Sequence, residues 1–547
     1  MTQSKRAGEF DMLAKTMHGL EEVLQKELSS LGAKEIQVGR RMVSFRGDMR
    51  LLYKANIHLR TAIRILVPIA QFKAQNADEV YQYLYDHIKW DEYLSIRNTY
   101  AFDTVVYSDK FTHSKFVAYR AKDALHDYFQ DKKVERIPNV SVVSPDFQFH
   151  IHIADDLVTL ALDSSGESLH RRGYRLGQND APISEVLAAG ILLKAGWEGQ
   201  CDFLDPMCGS GTFLTEAALI ALGIPPGIFR KEYAFEKWPD FDADLLSELL
   251  EDWEEKPFEH KLYGSDLHPK AIAISRANIK NTGIQKYVEL TVKRLEDYTT
   301  ENRPAETGLI VTNPPYGDRM RPGDLERLYA NIGSTLKHAF MGWKAWIISG
   351  SLETGFNALG LKHNTRETLY NGSIECELRS YDLFSGKRNE HLQELEELGL
   401  LDTIREERER YIAERDQYAK ARQAYRMERQ QEEQRTGRKS RTRFGENSDR
   451  DDRREKGYEQ RDARNRDYDK RDFSDRHKSS REERDSNTPI RHYSNPNLAY
   501  STSAEKERSE RRRIGEYDRN TRLSYHSSSE PRAFKPRDNK ERKPNQD

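Results

Sequence analysis

The 547-residue chain holds only three cysteines, Cys201, Cys208 and Cys376. So few thiols in so long a chain exclude a disulfide framework and a cysteine metal cluster, and they suit a reducing compartment. Its 16 histidines are scattered without ligand spacing, which leaves no metal to expect. No apolar run is long enough to span a bilayer and no signal peptide is recognisable, so the expected location is the cytoplasm, away from membranes. Net charge is nearly absent too, −2 at pH 7. That balance hides two unlike parts. Residues 401–547 hold 40 Lys+Arg against 32 Asp+Glu, a surplus of 8, which leaves the remainder near −10. The length suits two or three domains and a tail.

What the chain does have is concentrated between residues 200 and 320. Phe203-Leu204-Asp205-Pro206-Met207-Cys208-Gly209-Ser210-Gly211-Thr212-Phe213 runs from an apolar strand through a glycine loop into a helix. Strand, acid, glycine loop and helix form the opening β-α unit of a nucleotide-binding, doubly wound sheet. A second short strand ends in Asp266 and Leu267, where an acid can accept both hydroxyls of a ribose. A third, Val288–Val292, leads to Asp297, which could accept from an adenine amine. Each acid alone also suits a helix N-cap. Three in order at successive strand ends favour a cofactor. A nicotinamide dehydrogenase fits less well, because its ribose acid follows the glycine loop by about 20 residues. Here Asp266 follows Gly211 by 55, and residues 223–260 read as an insertion. Its Phe235-Glu236-Lys237-Trp238 is expected near the substrate side or in a purely structural role.

The apolar run Leu309-Ile310-Val311 then ends in Asn313-Pro314-Pro315-Tyr316. Two prolines stop the strand ladder and stiffen the backbone, and residue 313 is pushed out of the α region. Such a turn offers an amide, a free carbonyl and an aromatic face to a flat ring bearing an amine. Asn313 and the Pro314 carbonyl accept from the amine, and Tyr316 stacks on the ring. Pro315 keeps the turn rigid.

These motifs resemble the class I S-adenosylmethionine-dependent methyltransferases of the amino-methylating group. The resemblance implies a Rossmann-like α/β domain and S-adenosyl-L-methionine as cofactor. Asp205, Cys208, Gly209, Gly211 and Thr212 match the first cofactor motif, Asp266 and Leu267 the ribose-binding strand end, and Asp297 the adenine contact. Asn313, Pro314, Pro315 and Tyr316 match the catalytic turn. Little base is needed, because a sulfonium methyl is already electrophilic and the enzyme chiefly positions the reactants. Cys208 lies in the cofactor loop, which counts against carbon-5 pyrimidine methylation through a covalent adduct.

The N-terminal third sets the substrate class. Leu20, Val23, Leu24, Leu28 and Leu31 mark a helix near 18–32, followed by short strands near 34–46. Thr99–Val106, Phe147–Ile153 and Leu157–Asp163 are strand-like. His113, Lys115, Arg120 and Lys122 cluster at a helix start, where they can bind phosphate or simply form a solvated face. The order of elements resembles a ferredoxin-like domain followed by a THUMP RNA-binding domain. Its closing signature runs from Leu162 to Arg175, and Ala181-Pro182-Ile183-Ser184 resembles the segment beside the cofactor, with Pro182 and Ile183 lining that pocket or packing the helix start. Taken together, the chain resembles most the bacterial enzymes that methylate guanine N2 in large-subunit (23S) ribosomal RNA.

The expected organisation is a ferredoxin-like domain at 1–60, a THUMP domain at 61–165, a class I methyltransferase domain at 166–390, a charged helix at 391–435 and a disordered Arg-rich tail at 436–547. The tail's sparse apolar content cannot offset the entropy of ordering it. Its arginines and tyrosines could contact RNA or merely solubilise. No second glycine loop or Asn-Pro-Pro-Tyr follows residue 390. Two other functions stay open: methylation of adenine N6 in DNA, and a noncatalytic RNA-binding role in ribosome assembly.

Overall fold

The structure is a computed structural model that describes residues 8–111, 113–134, 136–178, 182–316, 322–350 and 354–384, with Glu406 and Ala413. The expected tail, and all of the expected charged helix except those two helical positions, lie outside the described residues.

The chain opens with β1 (Phe10–Thr16), α1 (Glu21–Ser30), β2 (Lys34–Gly39), β3 (Met42–Gly47), α2 (Met49–His58) and β4 (Ala62–Lys73). It continues with α3 (Ala77–His87), β5 (Thr99–Tyr107), α4 (Ser114–Asp131), β6 (Asn139–Val140), β7 (Phe147–Ala154) and β8 (Leu157–Asp163). Sequence spacing accounts for these elements. Leu24 and Leu28 put one face of α1 inside, and Val117, Ala121, Leu125 and Phe129 do the same for α4. In β7, Phe147, Phe149, Ile151 and Ile153 alternate into the core. Asp48 and Asn76 cap α2 and α3 by accepting from the Leu51 and Glu79 amides.

All eight strands form one sheet in the order β2-β3-β1-β4-β8-β7-β5-β6. β4 makes this possible. Its first half pairs with β1, and its second half, from Leu66 onward, pairs with β8. The β4–β8 register slips between Pro68 and Ala70, where a proline has no N–H to give the ladder. The two expected N-terminal domains therefore share a continuous sheet.

The second half holds α5 (Glu185–Lys194), β9 (Phe203–Asp205), α6 (Thr212–Ala221), α7 (Ala243–Glu251), β10 (Leu262–Asp266), α8 (Pro269–Asn281), β11 (Val288–Val292), β12 (Leu309–Thr312), α9 (Pro322–Ala339), β13 (Lys344–Ser349), α10 (Thr354–Ala358), β14 (Thr365–Asn371) and β15 (Ile374–Asp382). Its seven strands run β11-β10-β9-β12-β13-β15-β14. The first five are parallel, and β15 and β14 close the far edge antiparallel. β9 and β12 are buried throughout, as central parallel strands are. Strand order reverses between β9 and β12, the switch point where such sheets bind ligands.

Two features lock the halves together. The Arg230 guanidinium donates to the carbonyls of Ser165, Glu167, Ser168 and Arg171, fixing the connecting segment. The 223–260 insertion packs against the N-terminal sheet. Phe235 stacks on Tyr53 with 4.2 Å between centroids, its amide donates to the Ser164 carbonyl, and Lys237 pairs with Asp146 at 3.2 Å. Of the two roles expected for Phe235–Trp238, the structural one holds: their bulk fills the N-terminal core rather than the substrate side. No helix among the described residues is long and apolar enough to cross a membrane.

Candidate active site

A cleft of about 430 Å³ lies at the C-terminal ends of β9, β10, β11 and β12, and its walls include Ile183, Asp205, Gly209, Asp266, Asn313 and Pro315. Asp205 ends β9 and is 2% exposed. One carboxylate oxygen accepts from Thr312 Oγ1 at 2.9 Å and from the Met207 amide at 3.2 Å. Burial pushes its pKa up to about 7, and the nearby Asp266 charge adds to the rise.

The glycine loop follows, held from beneath by α8. Ser275 Oγ donates to the Gly209 carbonyl at 2.8 Å, and Asn278 Nδ2 to the Ser210 carbonyl at 2.9 Å. Gly211 starts α6 with φ +77°, and a Cβ there would lie 3.2 Å from Ser275. Only glycine meets both demands cheaply. Cys208 lines the cleft, and burial raises its thiol well above the usual range, so it is held as a thiol. Asp266 ends β10. Its two oxygens accept from the Gly209 amide at 3.0 Å and the His268 amide at 2.9 Å. This carboxylate thus shapes the glycine loop, while its remaining lone pairs stay available for hydroxyls. Leu267 lines the rim.

The third acid differs from expectation. After β11 the cleft is lined by Lys293, Arg294, Leu295 and Glu296, and Asp297 is not on the wall. A tight 3-10 turn, Leu295–Asp297, buries Leu295 and turns Asp297 to solvent. Pro182 also lies off this cleft. It lines an adjoining cavity of about 710 Å³, and Ile183 belongs to both. Thr212 lines the cleft, and its hydroxyl accepts from Arg175 at 3.1 Å. Arg175 was not singled out in sequence. Its guanidinium also donates to Glu185 at 2.9 Å, to Ser210 Oγ at 3.3 Å and to the Ile183 carbonyl at 3.3 Å, tying the connecting segment to the glycine loop.

The Asn313–Tyr316 turn closes the cleft. Asn313 and Pro315 line it and Pro314 is buried. Asn313 Oδ1 is buried with no hydrogen-bond partner among the described residues. An orphaned acceptor of this kind costs free energy on the order of 1–3 kcal/mol unless a ligand supplies a donor. Tyr316, expected to present its face to a substrate ring, is buried and off the cleft wall, and its hydroxyl accepts from Asn371 Nδ2 at 2.9 Å.

On the N-terminal module, His113, Lys115 and Lys122 are exposed along α4, and none of the three makes an ion pair among the described residues. Arg120 departs from the expected phosphate-binding set. It pairs with Asp78 at 2.8 Å and Asp123 at 3.3 Å and lies over the Tyr81 ring, so its charge is spent holding α4 against α3. Beside the free cations stand two aromatics the sequence reading passed over, Phe116 at 52% and Tyr119 at 61% exposed. Tyr119, four residues after Lys115 and three before Lys122, shares their helix face, and Phe116 lies three before Tyr119; that spacing was the available signal. No group of side chains among the described residues could hold a metal ion.

Three domain families match in order: the RlmL ferredoxin-like domain at residues 11–66, the THUMP domain at 74–163 and the RMKL-like methyltransferase domain at 172–380. A Synechocystis sp. protein, provisionally named an RNA methyltransferase, is 36% identical over 375 residues, covering 68% of this chain and 96% of its own. A ribosomal RNA large subunit methyltransferase K/L of Syntrophotalea carbinolica is 37% identical over 377 residues, covering 67% of this chain and 52% of its own. The chain therefore spans about half the length of the K/L relatives it matches. A solved structure of a provisionally named methyltransferase, complexed with S-adenosylhomocysteine, is 29% identical with a TM-score of 0.62, covering 70% of this chain and 100% of its own. A Listeria monocytogenes structure described as a predicted N6-adenine-specific DNA methylase is 29% identical with a TM-score of 0.60, covering 69% and 96%. With this fold, this cleft and these matches, the chain belongs to the THUMP-domain class I methyltransferases with an RlmL-type ferredoxin-like module, a family whose cofactor is S-adenosylmethionine.

Proposed function

We propose that the protein methylates the exocyclic N2 of a guanine in large-subunit ribosomal RNA. The observation that carries this reading is Asn313, which lines the cofactor cleft and whose Oδ1 is a buried acceptor without a partner among the described residues. An exocyclic amine supplies the missing donor. When bound, S-adenosylmethionine supplies an electrophilic methyl on a sulfonium. An aromatic amine is a poor nucleophile because its lone pair is delocalised into the ring. Hydrogen bonds from its N–H groups to Asn313 Oδ1 and the Pro314 carbonyl draw the lone pair out of conjugation. They also stabilise the positive charge that builds on nitrogen as the N–C bond forms and the S–C bond breaks. One amine proton then leaves to solvent. Tyr316, 5% exposed in this structure, would offer the face on which an extruded base stacks once its ring is uncovered. Cofactor contacts fall to Asp205, Cys208, Gly209, Gly211 and Thr212, with Asp266 and Leu267 at the ribose.

RNA as substrate is supported by the exposed cations and aromatics of α4 and by the K/L relatives, whose names specify large-subunit ribosomal RNA. The Listeria neighbour's description favours DNA adenine N6 as a second reading, since the same turn suits either amine. Methyl transfer from labelled S-adenosylmethionine to RNA from a strain lacking the enzyme, with DNA in parallel, separates the two. In the same assay Asn313→Ala abolishes transfer while S-adenosylhomocysteine affinity stays within about twofold. Transfer persisting at the normal rate would remove Asn313 from the mechanism, and no transfer by the unmodified protein would favour the noncatalytic assembly role.

A further inference from the structure

The catalytic turn stops at Tyr316, yet the Tyr316 ring is oriented by residues the turn does not contain. Its edge lies against Gly350, at the end of β13. A Cβ there would fall 2.8 Å from Tyr316 Cδ2 and 3.0 Å from Cε2, so the backbone approaches as closely as it can. The ring's far end is held by the last hairpin. Asn371 Nδ2 donates to the Tyr316 hydroxyl at 2.9 Å, and Cys376 Sγ lies 3.7 Å from the same oxygen. Burial raises the Cys376 thiol's pKa, so it remains a neutral neighbour.

Asn371 itself is well braced. It is the last residue of β14, paired with Ile374 across the turn. Two residues back, Leu369 is fully buried in the core that contains Leu20 of the N-terminal module, and Tyr370 meets the His18 ring edge-on at 5.6 Å. Asn371 and Gly372 also form part of the wall of the 710 Å³ cavity that adjoins the cofactor cleft at Ile183. The carboxamide thus stands between that open space and the catalytic turn, on a hairpin supported by the ferredoxin-like module.

We propose that Asn371 is a positioning residue: its hydrogen bond to the Tyr316 hydroxyl sets the plane on which the target base stacks. This rests on the reading of Asn313–Tyr316 as the catalytic turn. A tyrosine ring has two soft torsions. Contact with Gly350 restrains one edge, and the hydroxyl bond fixes the other end before the base arrives. Misplacing a stacked base by an ångström moves its amine off the methyl's line of approach, which costs rate far more than affinity.

The test is a double-mutant cycle in the full chain, with single-turnover methyl transfer to RNA from a strain lacking the enzyme. Tyr316→Phe keeps the aromatic face and removes the hydroxyl. Asn371→Leu removes the donor at similar volume. Each single variant is expected to lose about tenfold in rate, with RNA KM and S-adenosylhomocysteine affinity within about twofold, and the double variant no more than about tenfold in total. Asn371→Asp, which can accept from the hydroxyl instead, is expected to recover most of the rate. Losses that multiply to about a hundredfold in the double variant, or an Asn371→Leu enzyme at full rate, would overturn the proposal. So would Asn371→Asp as slow as Asn371→Leu. Asn313→Ala run alongside separates the two failures. If it is inactive while the Asn371 and Tyr316 losses multiply, only the positioning role falls. If it is fully active, the catalytic-turn reading falls and takes this proposal with it.

Discussion

Asp205 gives the cofactor site a pH dependence that can be worked out in advance. Its folded pKa is about 7, raised from 3.8 chiefly by burial. The fold therefore favours the protonated acid, and charging it costs stability as pH rises from about 4 to about 7. Between pH 5 and pH 8 the cofactor-free protein should lose roughly 3 kcal/mol from this group, a loss absent in Asp205→Asn. A cationic ligand reverses the preference. The cofactor's amino-acid end carries an ammonium, and if Asp205 faces it, binding requires the carboxylate. At pH 6 about one protein in ten has Asp205 ionised, so S-adenosylhomocysteine should bind about tenfold more weakly at pH 6 than at pH 8, near 1.4 kcal/mol. Calorimetric titrations at pH 6, 7 and 8, with denaturant unfolding of the same samples, measure both effects. Asp205→Asn should bind more weakly at pH 8 and show no slope. Equal wild-type affinity at pH 6 and pH 8, or the same slope in Asp205→Asn, would refute the reasoning.

Other outcomes follow from the same structure. Asp266→Ala removes the acceptor for the Gly209 and His268 amides as well as the ribose contact, so cofactor affinity should fall by about 30- to 100-fold, read by calorimetry, while affinity for RNA is unchanged. Lys115→Ala with Lys122→Ala should lower the slope of log RNA affinity against log salt by about 2, whereas Arg120→Ala should leave the slope alone and lower the melting temperature. Phe235→Ala opens a hole beside Tyr53 and should destabilise by about 3–5 kcal/mol in denaturant unfolding, without changing the affinity of properly folded protein for S-adenosylhomocysteine.

The parts of the fold and site legible in sequence were those set by local backbone constraints. Asp205 through Gly211 reads locally as a strand meeting a helix through a glycine loop, and two consecutive prolines after Asn313 stop a strand ladder. What escaped depends on distant partners. Nothing near Arg120 announces that Asp78, 42 residues earlier, takes its charge. The aromatic run at Phe235 signals burial but not against which core, and Tyr53, which receives it, lies in another module. The shared sheet was hidden because β4 serves two partners from one strand. That Asp297 lies off the cleft wall and its neighbour Glu296 on it was not legible, because a single 3-10 turn decides it. Asn371 had no local signature at all, since its meaning is a contact with a residue 55 positions away.

The measurement that bears most directly on the proposed chemistry is the identity of the methylated nucleoside. Purified protein and labelled S-adenosylmethionine are incubated with RNA from a strain lacking the enzyme and, in parallel, with DNA, and each nucleic acid is digested to nucleosides and resolved by mass spectrometry. Label in N2-methylguanosine from large-subunit RNA, absent with wild-type RNA and with Asn313→Ala, is the expected result. Label in methyladenine of DNA, or in any ring-carbon position, would contradict it.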